Sequence, residues 1–217
     1  RSRFATTALG SLLLYCWHEL GILGGDHTYS AHHVYTLSVG TFLLGFTACG
    51  GSYSIDRLQA VRRAQAAGTE VPPEHGPLWG LWLIRLQIVA MYVFAAWDKS
   101  DPYFGIHFQQ ALRRFLIGSE EFDPAVTTLI SVMAYGSVVL EWILPFTLLY
   151  RPTRKVSMLI GATFHWIIYW WLSVGTFSAT VVVLYAAFLD PDEVHAFIDT
   201  LTGRTSAKPT GAPATPG

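Results

Sequence analysis

The chain has 217 residues, of which 52% are hydrophobic and 13% charged, with a mean hydropathy of +0.37. A water-soluble domain carries about 25% charged residues, and here the apolar residues fall into long runs between short polar segments. That pattern excludes an ordinary soluble enzyme and indicates an all-α, polytopic membrane bundle. The net charge of −1 leaves no basic face for nucleic acid, so the expected partner is membrane lipid.

Taken in order, the first apolar run goes from Phe4 to about Leu23 and ends in Trp17, His18, Glu19 and a Gly24-Gly25-Asp26 turn. Arg1 rather than Met opens the chain, which points to a start inside a longer product. The second run begins near Ser30 and reaches about Gly51. A polar loop from Ser52 to Pro77 follows, and its RLQAVRRAQAA portion reads as a short interfacial helix. The third run, Leu78 to Trp97, carries one charge, Arg85, and spans roughly 30 Å at about 1.5 Å per residue, the thickness of a hydrocarbon core. Asp98, Lys99, Ser100, Asp101 and Pro102 end it. The spacing predicts an amphipathic surface helix over Gly105 to Ile117. The fourth run, about Ala125 to Tyr150, contains Glu141 and a kinking Pro145. The fifth, Val156 to Trp171, contains His165, and the sixth runs from Val174 to Leu189. Residues 1–202 thus form a transmembrane domain of about six spans, and 203–217 a Pro/Gly/Ala/Thr-rich tail with no apolar bulk.

Basic residues set the orientation. With six spans, one side holds 10 of the 14 Lys and Arg residues, which places both termini in the cytoplasm. Cys16 and Cys49 lie within apolar runs and read as small core residues rather than as a disulfide or a metal site. No fixed His spacing supports a metal.

Three ionisable groups fall inside the apolar spans. Counted from the cytoplasmic ends of their helices, Arg85 and Glu141 both lie roughly 10–14 Å deep on antiparallel neighbours. An ion pair between them is the expectation, since either charge alone is costly there. His165, near mid-membrane, is expected to be neutral and hydrogen-bonded to a neighbouring helix. At the opposite boundary His33 begins the second span and Lys99 ends the third, with His18, Glu19, Asp26, His27, His32, Asp98, Asp101 and His107 at the same level. Lys99 has two readings. It snorkels to the interface with Asp98 neutralising it, or it is desolvated enough to act as a base tuned by a histidine or carboxylate.

The segments SAHHVYTL, GSYSIDRL, WLIRLQIVAMYVFAAWDKSDPYFG and LEWILPFTLLYRPTRKVSMLIGATFHWI, in that order, resemble the HTTM family. These are bacterial membrane proteins similar to the membrane domain of vitamin K-dependent gamma-carboxylase, and the similarity spans roughly Phe4 to Asp192. The resemblance implies a base at Lys99, through Tyr92-Val93-Phe94-Ala95-Ala96-Trp97-Asp98-Lys99, and an assisting histidine at His33, through His32-His33-Val34-Tyr35. It departs from the family pattern at Ala96, where the family has glycine, at Asp98, which replaces a second lysine, and at Ser100, which replaces leucine. The chain also has no counterpart of the carboxylase's large substrate-binding domain, so carboxylation of a protein is not expected of it alone.

Two functional expectations follow. The first is an accessory or structural subunit of a larger membrane complex of the bacterial inner membrane, one that handles quinone, with other membrane subunits as partners. The alternative is a small membrane enzyme acting on a quinol-like lipid, with Lys99 as base and His33 as its partner. A quinone is the cofactor that the family resemblance suggests.

Overall fold

A computed structural model describes residues 2–25, 32–74, 76–100, 124–171 and 175–203. The surface helix expected over Gly105 to Ile117 and the tail beyond Gly203 lie outside the described residues. Among those described there is no strand, in keeping with the all-α expectation. The helices are α1 (Ser2–Cys16, passing into a π-helical turn over Trp17–Leu23), α2 (His32–Leu44), α3 (Ile55–Ala67), α4 (Trp79–Ser100), α5 (Pro124–Leu149), α6 (Arg154–Trp171), α7 (Gly175–Leu184, passing into a 3-10 turn over Tyr185–Phe188) and α8 (Pro191–Thr202).

Among the described residues two helices are long and apolar enough to cross a membrane, Trp79–Ser100 and Thr128–Leu149, so the expected six spans are not all shown. Only 33% and 28% of their most apolar windows are buried by protein, whereas the core helix of a soluble domain is mostly covered. Leu86, Phe94, Trp97, Val132, Val139, Ile143 and Phe146 point outward, while Arg85, Glu141, His165 and Ser178 lie inside. Apolar surface outside and polar groups inside is the distribution a lipid solvent selects. The second apolar run forms a shorter helix than the sequence suggests. It stops at Leu44 and continues as turns through Gly50, so α2 covers only about 20 Å.

Residues 1–187 form the first compact unit. Within it α1 and α2 run antiparallel, as do α2 and α4. Gly10 on α1 meets Phe42 on α2 so closely that a Cβ there would overlap the Phe42 backbone, and at the far end the Ser2 hydroxyl reaches Asp56. Gln87 Nε2 on α4 donates to the Thr36 carbonyl on α2 at 2.9 Å. Ser54 caps α3 by accepting the Arg57 N–H at 3.0 Å, and Gly68, at φ 63°, ends it. The ends of α1, α2 and α4 marked by Ser2, Ala48 and Trp79 therefore gather beside α3, and Lys99 ends α4 at the opposite pole.

The second unit begins at Phe188. Its helix α8 is capped by Asp190, which accepts the Asp192 N–H at 3.1 Å, starts on Pro191 and stops at Gly203 with φ 66°. Val194, Phe197, Ile198 and Leu201 share one face of α8 by their i, i+3, i+4, i+7 spacing.

Candidate functional site

Helix α4 buries one stripe: Gly80, Ile84, Arg85, Ile88, Tyr92 and Ala96. The next position in that three-to-four spacing is Lys99, so its side chain leaves α4 on the core side. Helix α5 buries Ile130, Ala134, Glu141, Leu144 and Leu148 with the same periodicity. The two stripes bring Lys99 and Glu141 together. Lys99 Nζ donates to both carboxylate oxygens, at 2.5 and 2.7 Å, with the lysine side chain 21% and the glutamate 7% exposed. Beside them, Trp142 Nε1 donates to Ser100 Oγ at 2.9 Å, and that hydroxyl donates to the Ala96 carbonyl at 2.6 Å. Pro145 lies four positions beyond Glu141 and has no N–H to return to the Glu141 carbonyl. The helix still runs on through it to Leu149.

Two turns inward on α4, the Tyr92 hydroxyl bonds His165 Nε2 on α6 at 2.7 Å and the Tyr185 hydroxyl that follows α7. His165 is 2% exposed, and among the described residues its Nδ1 has no partner. Phe164 and Phe177 flank its ring. Gly161 makes room for Tyr185, because a Cβ there would land on the phenol. The ion pair and the Tyr–His–Tyr cluster are two buried polar groups on the same face of α4, seven residues apart.

The expected Arg85–Glu141 pair is not formed. Arg85 Nε donates to the Ala187 carbonyl at 2.7 Å, and its guanidinium lies 4.9 Å from the centre of the Trp82 ring. A cation there meets carbonyls at the end of the helical segment, where the helix dipole is negative. The depth count failed because it assumed that the start of α4 and the end of α5 lie level. Their register is offset, so Glu141 meets a residue roughly 21 Å further along α4 than Arg85. Asp98, expected to neutralise Lys99 if it snorkels, is exposed, and Glu141 takes that role.

His33 is half-buried in the first turn of α2, near the Trp17–Tyr35 ring contact of 4.8 Å, and among the described residues no hydrogen bond joins it to Lys99. His18 pairs with Glu19 at 3.2 Å on the surface. Asp26, His27, Asp101 and His107 lie outside the described residues. Sequence reasoning missed Tyr185, although a hydroxyl among Val181, Val182, Val183 and Leu184 was a visible signal. It also missed that Tyr92, seven positions before Lys99, shares its face.

The HTTM domain matches residues 3–192, the span over which the quoted segments run, and no solved structure matches the chain. With most of its length matched and apolar helices that bury polar groups inward, the chain belongs to the HTTM domain family and is a membrane protein.

Proposed function

We propose that this protein is a multi-pass protein of the bacterial inner membrane, both termini cytoplasmic, whose Lys99–Glu141 pair is an acid–base site for the hydroxyl of a quinol-like lipid. One observation carries the reading: a lysine and a largely buried glutamate held in bidentate contact at the end of α4. In a low-dielectric setting the pair has two net-neutral forms, ammonium with carboxylate and amine with carboxylic acid. The amine form takes a proton from a hydroxyl placed beside Nζ, and Glu141 holds the lysine for it. The lipid-facing surroundings favour a hydrophobic substrate with one polar end. The His33 role rests on the family resemblance.

The test is purification in gentle detergent, extraction of bound lipid and turnover of any isoprenoid quinol found. Lys99→Ala is expected to abolish turnover while leaving the protein folded. Equal turnover by Lys99→Ala overturns the assignment.

A second reading, an accessory subunit of a larger quinone-handling membrane complex, draws on the outer face of α5. There Val132, Tyr135, Gly136, Val139 and Ile143 line an open groove of about 710 Å³, and among the described residues no atom beyond its own helix turn lies within 4 Å of where a Gly136 Cβ would stand. A small residue on a lipid-facing helix lets another helix approach closely. Stoichiometric membrane subunits that co-purify with wild type and are lost from Gly136→Leu support this reading; a chain that purifies alone contradicts it.

A further inference from the structure

Helix α3 offers a charged surface that the acid–base reading does not use. Nearby carboxylates are already engaged. Asp56 accepts the Ser2 N–H at 2.6 Å and the Ser2 hydroxyl at 2.8 Å. Glu74 pairs with Arg57 at 3.0 Å and accepts the Ser52 hydroxyl at 2.7 Å. Arg62 and Arg63 are exposed and have no carboxylate partner among the described residues; Arg63 Nη2 donates only to the neutral Gln59 Oε1 at 3.2 Å. Asp56, Gln59, Arg62 and Arg63 line a cleft of about 670 Å³.

The cleft's position limits its ligand. Ile55 and Leu58 on α3 are exposed apolar residues, as are Leu78, Trp79 and Trp82 at the same end of the bundle. Aromatic and aliphatic groups beside a pair of arginines form the layered profile of a membrane boundary, acyl chains below and headgroups above. A guanidinium pair at headgroup height, with its nearest carboxylate held by Ser2, matches a phosphodiester by charge and by fork geometry. We propose that Arg62 and Arg63 bind the phosphate of an anionic phospholipid headgroup at the Trp79 end of the bundle.

The full chain in neutral-detergent micelles would be titrated with phosphatidylglycerol, with phosphatidylcholine and with inorganic phosphate, reading bound lipid by native mass spectrometry and Tm in parallel. Phosphatidylglycerol is expected to bind and raise Tm, and Arg62→Gln/Arg63→Gln to weaken that binding about tenfold or more. Arg151→Gln, a basic residue in another loop, is expected to bind like wild type. Unchanged binding by the double variant, equal response to both lipids, or an equal effect of inorganic phosphate would each overturn the proposal. Both arginines are exposed and the helix caps are untouched, so helicity of the double variant by circular dichroism checks that lost binding is not lost fold.

Discussion

Lys99 and Glu141 show how much one residue pair constrains this protein. A charge left without its counter-charge inside an apolar span costs about 3 kcal/mol on insertion scales, so either residue without the other lowers stability without abolishing the fold. Glu141→Gln removes the carboxylate that Lys99 contacts and is expected to lower stability by up to about 3 kcal/mol, the low end for a buried pair because the lysine keeps some solvent access. The double variant Lys99→Met/Glu141→Leu should recover most of that loss, since well-packed apolar residues replace a buried pair at little cost. A chemical or thermal unfolding series in one detergent checks both. Tyr92→Phe removes the partner of His165 Nε2 and is expected to cost about 1–3 kcal/mol, read in the same series. At the other pole, the Ser2 backbone N–H and hydroxyl hold the Asp56 carboxyl down at about 2. Its folded value lies below the unfolded one, so its contribution is present above about pH 4 and is lost as pH falls towards 2. Asp56→Asn should flatten the acid limb of stability measured between pH 5 and 2; an unaltered acid limb would mean the Ser2 contact does not hold α3 to α1.

At the scale of elements, the apolar runs made the helices legible, and length with composition marked α4 and α5, but not the other four runs, as long and apolar enough to cross a membrane. The candidate site was only partly legible. Lys99, Glu141, Arg85 and His165 stood out as ionisable residues in apolar runs, but their partners depend on the offset between α4 and α5, and no one-helix pattern encodes that offset. Counting depth from each helix's own end paired Glu141 with the wrong cation. The short α2 was hidden for a related reason: an apolar run continues through Gly45 to Gly51 while the backbone turns. Gly161 belongs to this scale as well. It sets the spacing of α6 and the Tyr185 turn, so Gly161→Val should overpack the contact, costing about 1–3 kcal/mol and disturbing the Tyr92–His165 bond. The His165 ring ¹⁵N shifts would report that disturbance apart from the loss of stability.

Within the first unit, charged groups gather at two poles while α4 and α5 turn apolar side chains outward. The Trp79 pole holds the arginines of α3 and the Arg85 contact with the Ala187 carbonyl, and the Lys99 pole holds the ion pair. The proposed acid–base site and the proposed phospholipid cleft lie at these opposite poles, so a lipid bound at one is not expected to compete at the other. The most direct test uses the fact that the chain has three lysines, Lys99, Lys155 and Lys208. With ¹⁵N-lysine label in nanodiscs and Lys99→Arg for assignment, the Lys99 Nζ resonance should stand apart from the other two. It is predicted to move on Glu141→Gln and again when a short-chain naphthoquinol is added. A Lys99 signal that coincides with the others and responds to neither change would contradict the account.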